Sequence, residues 1–406
     1  MNIDDNSAKR NCTSCQMCAA VCPKNAISIL LDADGFYRPA VDSAGCVDCG
    51  ICTQVCYKFD TQIESFGTKK LAATELYGAY AKDEDIVKNT TSGGIADLLA
   101  RQLIKDDYKC VGVVYDSEYD AATDKIITSE DELAGFRGSK YIQSYTLETF
   151  KEIAKNCRNE KYAIFGTPCH IYALDKYFRQ HKVREQHLLI DLYCHGCPSM
   201  NVWKKYIGDI KGKIVREHVD NVNFRSKIRG WGNFYVAVAV DGKPVYNSNN
   251  ANNEFFDLFF SDQVLNDACN DCLLRSTLDY TDIRLGDFWG KQYVLNNKGV
   301  SAVSLVSDKA KTLFGEISDC MVFKAERYED FLPWQSWGKF YHPDLQLRAE
   351  LMTQLRDDSI SLRDSVNTVF RYQTLRGKFL GYAKRIVHAL PPSVEKCIRW
   401  MFYKIH

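Results

Sequence analysis

Apolar residues in the middle of the chain alternate between short buried runs and amphipathic segments. From Leu76 onwards, the pattern predicts a strand in LYGAYAKD, a helix over Ile95–Ile104 and a buried strand in CVGVVYD. The same order continues with a helix, a strand that ends at residues 166–168, a second helix, the buried strand of HLLIDLYCHGCPS and the helix NVWKKYIGDI. Strands that alternate with helices predict an α/β domain with a mixed or parallel sheet.

The flanking regions have different patterns. Residues 26–31 alternate as a strand, and LDADGFYRPAV adds an Asp-Gly turn and a second extended piece, which together predict a hairpin. Residues 60–70 are polar and predict a linker. Residues 215–247 are rich in β-forming residues, with a hairpin predicted around Asp241-Gly242. From about Pro333 the pattern changes again, to that of helices.

Composition limits the protein class without giving a function. The chain has 406 residues, of which 46% are hydrophobic, and its formal net charge is zero. This length indicates about two or three domains, and the neutral charge gives no electrostatic case for binding nucleic acid. The polar opening MNIDDNSAKRN is unlike a secretory signal, and no apolar run of about eighteen residues occurs. We therefore expect a cytoplasmic protein whose 17 cysteines need a reducing setting.

The most specific chemical signal is the cysteine pattern CxxCxxCxxxC, which occurs twice near the N-terminus. Its members are Cys12, Cys15, Cys18, Cys22, Cys46, Cys49, Cys52 and Cys56. This spacing is that of bacterial two-cluster ferredoxins, in which each 4Fe-4S cluster takes three neighbouring cysteines and one remote cysteine. We therefore expect each triplet to obtain its fourth ligand from the other copy. One cluster then has the ligands Cys12, Cys15, Cys18 and Cys56, and the other has Cys46, Cys49, Cys52 and Cys22.

One detail departs from the ferredoxin pattern. Pro23 follows Cys22 as that pattern requires, whereas Tyr57 follows Cys56 in place of a second proline. Structural zinc is an alternative that prefers two CxxC pairs, and disulfides are another that needs an oxidising compartment. Two identical triplets, each with one further cysteine, fit iron–sulfur clusters better than either. The pattern therefore predicts a protein that transfers electrons.

A third group of cysteines lies in turns of the central region. Its members are Cys169, Cys194, Cys197, Cys269 and Cys272. Four ligands that converge from several loops suit a further 4Fe-4S cluster or a zinc ion. Scattered cysteines are also common as small buried apolar residues, so spacing alone leaves these interpretations open.

Three loop segments suit an anionic cofactor. TSGG at residues 91–94 precedes an apolar helix, whose free N–H groups and positive end favour a phosphate, although Ser92 as an ordinary N-cap is the alternative. Lys140 lies among small residues in FRGSKYIQS and is a natural phosphate partner, although a lone loop lysine is usually only solvated. FGTPCHIYAL at residues 165–174 joins a strand end to a helix start, where α/β sheets bind ligands. Neither GxGxxG nor GxxxxGK[ST] occurs.

The motifs of the central region occur together in a known order. TSGG, GSKYIQS, GTPC, LYCHGCPS, FRSKIRGW, CNDC and DIRLGDFWG follow one another here. Over residues 75–330 the chain thereby resembles the beta-subunit family of coenzyme F420 (8-hydroxy-5-deazaflavin) hydrogenases and dehydrogenases. The N-terminal ferredoxin fusion is similar to many bacterial members. The resemblance implies an FAD-dependent subunit that exchanges electrons between iron–sulfur clusters and a two-electron carrier bound over the flavin.

The resemblance also implies site residues. Those expected around FAD are Thr91, Ser92, Gly93, Gly94, Ser139, Lys140, Gln143, Ser144, Gly166, Thr167, Pro168 and His170. His170 replaces the glutamine that is usual in the family. The implied ligands of a third 4Fe-4S cluster are Cys169, Cys194, Cys269 and Cys272. Cys197 is left out because bacterial relatives often carry an apolar residue at its position.

The predicted domains follow from the pattern and the resemblance together. We expect an α+β ferredoxin-like domain over residues 1–65 and a basic amphipathic helical tail over residues 333–406. Between them we expect an α/β flavin-binding domain with a mixed sheet, in an N-terminal part over residues 72–150 and a C-terminal part over residues 151–332. The third cluster is predicted in the C-terminal part.

Other polar residues of the central region have two interpretations each. The segment FRSKIRGWG contains three basic residues and one aromatic residue, which we call the basic set: Arg225, Lys227, Arg229 and Trp231. This set either lines an acidic substrate or carrier, or forms a solvated basic hairpin. His195 is either a proton donor near the cluster or a hydrogen-bonded core histidine, and we favour the structural role. Asp287 and Trp289 are expected to hold a strand end.

The tail from Arg371 onwards is strongly basic. It has eight Lys and Arg residues and one acidic residue, Glu395. Apolar residues recur at helical spacing at Phe379, Ala383, Ile386, Val387 and Leu390. Basic amphipathic helices lie on anionic membrane surfaces, which predicts peripheral contact with the inner membrane face. Docking on the protein's own body or on a partner is the alternative, and we favour it.

These features predict an FAD-dependent iron–sulfur oxidoreductase. Electrons are expected to pass between the ferredoxin-type clusters, FAD, and a two-electron carrier or small-molecule substrate. Flavin suits this role because it accepts one or two electrons, whereas clusters pass electrons singly. The expected partners are a redox protein donor or acceptor and the small carrier. The alternative is an electron-transfer subunit of a larger redox complex, with no substrate of its own.

Overall fold

The computed structural model describes residues 1–5, 7–63, 71–249, 252–390, 394–395, 397–398 and 401. Residues 64–70 of the predicted linker, and most of the tail after Leu390, lie outside the described residues. The strands are β1 (Ile27–Leu31), β2 (Tyr37–Val41), β3 (Glu75–Ala81), β4 (Lys109–Asp116), β5 (Ala121–Ile127), β6 (Ser144–Tyr145), β7 (Tyr162–Phe165), β8 (Leu188–Leu192), β9 (Asn221–Asn223), β10 (Ala237–Val240), β11 (Lys243–Asn247), β12 (Ile283–Asp287), β13 (Ser301–Leu305) and β14 (Met321–Glu326). The helices are α1 (Met17–Ala20), α2 (Ile51–Gln54), α3 (Glu84–Asn89), α4 (Ile95–Lys105), α5 (Leu147–Asn156), α6 (Pro168–Gln180), α7 (Met200–Ile214), α8 (Glu254–Phe259), α9 (Asp308–Glu316), α10 (Tyr328–Phe331), α11 (Leu345–Arg356), α12 (Leu362–Tyr372) and α13 (Leu375–Ala389).

The centre of the molecule is a nine-stranded mixed sheet. Its strand order is β14-β3-β13-β12-β8-β7-β4-β5-β6. Strands β12, β8, β7 and β4 are mutually parallel, and β3 shares their direction because β13 is antiparallel to both β12 and β3. The predicted α/β architecture and mixed sheet are therefore confirmed. Strands from both predicted parts interleave, so residues 72–150 and 151–332 build one sheet.

Helices cover both faces of this sheet, because its central strands are apolar on both sides. On one face, α4 and α9 bury Leu99, Leu103 and Phe314 against Ile190 and neighbouring strand residues. The observed helix Ile95–Lys105 confirms the helix that was predicted there. On the other face, α5 and α6 pack against β4, β7 and β8 together with residues of the N-terminal cysteine module.

The N-terminal module, residues 1–63, contains the two cysteine repeats. Strands β1 and β2 form the predicted antiparallel hairpin, in which Ile27 pairs with Val41. Each repeat ends in a single helical turn, α1 or α2. Met17, Val55 and Tyr57 are buried in the same apolar cluster as Ile153 and Phe178 of the body. The module and the central domain therefore share one core.

A further layer lies beside the sheet. The three-stranded sheet β11-β10-β9 includes the predicted hairpin at Asp241-Gly242. It packs with α7, α8, α11 and α12 around Trp203 and Phe255. Leu351 and Val366, from α11 and α12, are buried in this cluster. The first two helices of the predicted tail are thus part of the folded body.

Helix α13 differs from the helices before it. Leu375, Phe379 and Ile386 are 87%, 72% and 65% exposed, so these three apolar side chains are not packed on the protein's own body. Among the described residues, no helix is both long enough and apolar enough to cross a membrane.

One glycine illustrates how tightly the loop before α4 sits on the sheet. Gly93 accepts a hydrogen bond from the N–H of Ala81 at 2.8 Å, and its own N–H donates to the Ser301 hydroxyl at 3.0 Å. A Cβ atom at Gly93 would lie 2.8 Å from the backbone nitrogen of Ser301 and would clash with the carbonyl oxygen of Ala79. The position therefore requires glycine for close backbone approach.

We predict that Gly93→Ala destabilises the protein by about 1–3 kcal/mol, because the added methyl group must push two strands away. The matched control is Gly208→Ala, within α7, where a Cβ would meet no atom within 4 Å. That change should be neutral or stabilise by about 0.5–1 kcal/mol, since glycine weakens a helix interior. Urea unfolding curves measure both changes. Equal stability of the two variants would contradict the packing argument.

Candidate iron–sulfur and cofactor sites

The two cysteine repeats surround two separate cavities. The thiol-bearing residues of the first are Cys12, Cys15, Cys18 and Cys56. Those of the second are Cys22, Cys46, Cys49 and Cys52. Each cavity is thus lined by one triplet and by the fourth cysteine of the other repeat, as the crossed assignment predicts. Hairpin residues such as Ile29 and Pro39 complete the first cavity with apolar surface.

The donor sets fit iron–sulfur clusters better than single ions. Four thiolates and an apolar lining are what 4Fe-4S clusters use. A mononuclear zinc site would draw its ligands to about 2.3 Å from one ion. Among the described residues, no three His, Cys, Asp or Glu side chains converge to hold a single metal ion. The four cysteines that line each cavity are the donor set that a 4Fe-4S cluster takes.

Burial raises the pKa of three thiols of the first cavity, those of Cys15, Cys18 and Cys56. Burial raises the pKa of Cys15 to about 11, and nearby Cys12 adds to the rise. Burial also raises the pKa of Cys18, and Cys15, Cys56 and Cys12 contribute by like-charge repulsion. Such a site favours a cationic group that offsets the thiolate charges. Hydrogen bonds to sulfur tune a bound cluster, and the backbone N–H of Ala26 donates one to Cys22 Sγ at 3.3 Å.

Gln16 fixes the loop of the first cavity to the central domain. Its Oε1 accepts hydrogen bonds from the N–H groups of Thr146 and Leu147 at 3.0 and 3.1 Å, and its Nε2 donates to the Ser144 carbonyl at 3.0 Å. Thr146 does not cap α5 with its own side chain. Gln16 therefore caps a helix that begins 131 residues further along the chain.

Two more contacts join this loop to the third cysteine group. Asn266 Nδ2 donates to the Ser14 hydroxyl at 3.0 Å, and the N–H of Leu273 donates to the Tyr57 hydroxyl at 3.0 Å. Leu273 directly follows Cys272. Tyr57, which replaces the expected proline, is thus a docking residue that is only 2% exposed.

The third cysteine group converges at the carboxyl edge of the sheet. Cys169 lies in the first turn of α6, Cys194 follows β8, and Cys269 and Cys272 flank a short turn before β12. Burial raises the pKa of Cys194 to about 11 and that of Cys269 to about 12, and neighbouring thiols add to both shifts. Burial also raises the pKa of Cys169, with Cys15 of the first cavity as the next cause. The third group is therefore adjacent to the first cavity.

Cys197 belongs to the same neighbourhood. Burial raises its pKa, and Cys269, Cys169 and Cys194 all contribute. The structure thus brings all five cysteines together and does not set Cys197 apart from the four implied ligands.

Two of the three predicted cofactor loops touch each other. The N–H of Ser139 donates to the Thr91 hydroxyl at 2.7 Å. Lys140 donates to the carbonyls of Gly135 and Arg137, and no carboxylate within the described residues forms an ion pair with it. Burial lowers the pKa of Lys140 to about 7. A cation without an ion-pair partner among the described residues fits an anionic group.

The rest of the TSGG loop is used by the protein itself. Ser92 is not the N-cap of α4, because its hydroxyl donates to the Val300 carbonyl at 2.8 Å. Gly94 occupies the N-cap position with a positive φ of 84°. Gly166, Thr167 and Pro168 lead from β7 into α6, and the Thr167 hydroxyl lies 3.2 Å from Cys169 Sγ.

Three other residues expected around FAD have polar groups that are hydrogen bonded within the protein or buried. Gln143 is 4% exposed, and its amide donates to the carbonyls of Gly35 and Pro198. The amide oxygen accepts a hydrogen bond from the N–H of Tyr37. Gln143 therefore holds the hairpin of the N-terminal module. The Ser144 carbonyl accepts from Gln16. His170 is buried edge-on to Phe150, and burial lowers its pKa to about 4. The roles of these three residues around FAD stay predictions.

The basic set near residue 225 is mostly structural, which corrects both of its sequence-based interpretations. Arg225 is 2% exposed and pairs with Asp287 at 2.8 Å. Lys227 Nζ donates to the carbonyls of Val87, Ser92 and Lys298 and so clamps the TSGG loop. Trp231 is buried and stacks on Trp289 with ring centroids 4.6 Å apart. Of the four residues, only Arg229 is exposed.

Two further sequence expectations agree with the structure. Asp287 accepts from Arg225 and from the Trp231 indole, and so holds the end of β12. His195 is hydrogen bonded to Asp262 at 2.8 Å and lies within hydrogen-bond distance of Ser336 and Tyr341. This network supports a structural role.

The sequence analysis missed the roles of Gln16 and Lys227. Their hydrogen-bond partners lie far along the chain, and no local pattern indicated either role.

Comparisons with known proteins place these motifs in families. Residues 76–151 match the N-terminal model, and residues 159–330 the C-terminal model, of the coenzyme F420 hydrogenase/dehydrogenase beta subunit. Residues 11–58 match a 4Fe-4S dicluster domain. Among solved structures, the chain is similar to a chain of the F420-reducing NiFe hydrogenase complex from Methanosarcina barkeri, at 15% identity and a TM-score of 0.45, covering 77% of this chain and 92% of that chain. No curated protein matches the sequence.

The crossed cavities give a test of ligand assignment. We predict that Cys56→Ala gives the same electron paramagnetic resonance spectrum as Cys15→Ala, and that Cys22→Ala gives the same spectrum as Cys49→Ala, because each pair lines one cavity. Each variant should lose up to about four iron atoms. Cys320→Ser, at an exposed cysteine outside both cavities, should retain them all. Pairing of the Cys22 spectrum with that of Cys15 would instead indicate uncrossed clusters.

Proposed function

The chain belongs to the coenzyme F420 hydrogenase/dehydrogenase beta-subunit family, and we propose that it is an FAD-dependent iron–sulfur oxidoreductase. In this proposal it passes electrons between a redox protein and a two-electron carrier or small substrate. The observation that carries the proposal is the adjacency of the cysteine sites. The second cavity, the first cavity and the third cysteine group follow one another from the surface to the sheet edge.

The positions of the three sites give them an order. Cys49 of the second cavity is exposed, so this cavity is the outer one and faces a protein donor or acceptor. The first cavity is the inner one, because Cys15 lies beside Cys169 and the Cys15 carbonyl accepts from the Thr146 hydroxyl at 3.1 Å. We assign the third 4Fe-4S cluster to Cys169, Cys194, Cys269 and Cys272.

Three residues of the TSGG and GSKYIQS loops support an anion-binding flavin site. Thr91, Ser139 and Lys140 would bind the charged part of FAD, and Lys227 keeps the TSGG loop in place against the sheet. Bound FAD supplies the conversion between single electrons and electron pairs. The chain's own groups orient it and keep the thiol sites buried.

The runner-up function is an electron-transfer subunit without its own substrate. Isolated protein that reduces or oxidises neither deazaflavin nor nicotinamide, and that co-purifies with a larger redox complex, would favour that function. Peripheral membrane contact stays a prediction. The exposed Phe379 and Ile386, in a segment whose charged residues are almost all basic, support it.

We predict that protein purified without oxygen contains about twelve iron atoms and a matching amount of sulfide, since three 4Fe-4S clusters are proposed. It should also contain about one FAD per chain and transfer electrons from a low-potential reductant to a two-electron acceptor. Metal, sulfide and flavin analyses measure these contents. Flavin-free protein with iron for only two clusters would refute the proposal.

The lowered pKa of Lys140 predicts a pH dependence of FAD affinity. Below about pH 7 the ammonium is charged and attracts phosphate, so affinity should fall as pH rises through this value. Lys140→Gln should bind FAD about tenfold more weakly at low pH, since a hydrogen bond to a charged group contributes about 1.5–3 kcal/mol. Its affinity should vary little with pH. Fluorescence titration of flavin-depleted protein measures both, and Lys125→Gln, at a surface ion pair, is the control.

A further inference from the structure

Arg275 is a buried guanidinium that lies between the loops of the third cysteine group. It follows Cys272 in the short turn Leu273–Ser276 and is 3% exposed. Its Nη2 donates to the carbonyls of Cys269 at 2.6 Å and His195 at 2.9 Å, and its Nη1 donates to the Lys339 carbonyl. Arg275 therefore contacts two of the three segments that carry the proposed ligands, those of Cys194 and Cys269.

Among the residues that the structure describes, no carboxylate forms an ion pair with Arg275. Within the described part of the chain, no Asp or Glu lies within ion-pair distance of it, and its Nε is buried without a hydrogen-bond acceptor. The Tyr341 ring, 4.3 Å from the guanidinium carbon, compensates only part of the charge. Other buried arginines are paired differently: Arg284 contacts Asp191, and Arg225 contacts Asp287.

A buried unpaired cation is unfavourable unless an anion shares its site. The groups that can become anionic here are the cysteine thiols. Arg275 lies close to them, because its Nη2 donates to the carbonyl of Cys269 and Cys272 directly precedes its turn. The guanidinium of Arg275 is thus held beside the residues that carry these thiols.

We propose that Arg275 is a positioning residue that supplies the counter-charge of an iron–sulfur cluster at the third cysteine group and raises its reduction potential. The inference rests on the third cluster of the proposed function. Reduction adds one electron from the inner cluster, with no change of bonding to the protein. The added negative charge is stabilised by the neighbouring guanidinium, so the cation favours the reduced state.

The test is a dithionite titration of the full-length holoprotein, followed by electron paramagnetic resonance. Arg275→Met should make reduction of the third cluster at least about tenfold less favourable, which corresponds to about 59 mV for one electron. Arg275→Lys, which keeps the charge but not the fork of donors, should retain most of the wild-type potential.

A matched control lies on helix α11, which contacts the Cys269 loop. Arg348 is 13% exposed in its side chain and pairs with Asp267 at 2.8 Å, two residues before Cys269. Arg348→Met removes the same unit of charge, but it leaves the carboxylate of Asp267, which is 52% exposed and therefore screened by water and salt. Its cluster potential should match that of the wild type.

The outcomes separate this inference from the function it rests on. About eight iron atoms in the wild-type protein would refute the third cluster itself. With about twelve iron atoms present, equal potentials in wild type and Arg275→Met would overturn the role of Arg275. Equal shifts in Arg275→Met and Arg275→Lys would also overturn it, because hydrogen-bond geometry would then be responsible. Loss of iron from Arg275→Met alone, with Arg275→Lys intact, would support the counter-charge.

Discussion

The anchoring of one glutamine side chain underlies the arrangement of the whole molecule. Gln16 lies between two cysteines of the first cavity, and its amide saturates the start of α5 and the end of β6. The first N–H groups of a helix need acceptors, and burying them without acceptors is costly. Order in the cysteine loop and order in the central helix therefore depend on the same three hydrogen bonds. Gln16 and nearby Ser14 both have a φ of 64°, a conformation that persists when surrounding contacts determine it.

At the carboxyl edge of the sheet, cationic side chains hold several loops together by donating hydrogen bonds to their backbone carbonyls. Lys227 holds three carbonyls from the segments around residues 87, 92 and 298. Arg275 does the same for the segments around residues 195, 269 and 339. Irregular loops leave carbonyl groups without strand or helix partners, and buried carbonyls need donors. Long cationic side chains supply several donors from one point, which lets distant loops converge without regular structure.

The sequence was most informative where a function depends on spacing within a short segment. The cysteine repeats, the hairpin after Ala26 and the helix from Ile95 could all be predicted, because each depends on local periodicity or turn chemistry. The role of Gln143 could not, since its partners Gly35 and Pro198 lie 108 and 55 residues away. The basic set near Arg225 was misjudged for the same reason. Asp287, 62 residues away, removes Arg225 from the surface, and no pattern near residue 225 encodes that pairing.

Tyr57 joins the N-terminal module to the central domain through specific contacts. Its hydroxyl accepts from the turn after Cys272, and its ring lies edge-on to Tyr172 with centroids 5.9 Å apart. A proline at this position would rigidify the module but would offer neither the hydroxyl nor the aromatic edge. The N-terminal module thus fits one particular surface of the central domain, and separating the two would expose apolar surface on both. Evolution would then favour inheriting the N-terminal module and the central domain together. Tyr57, the residue directly after the last cysteine of the repeats, would mark that association.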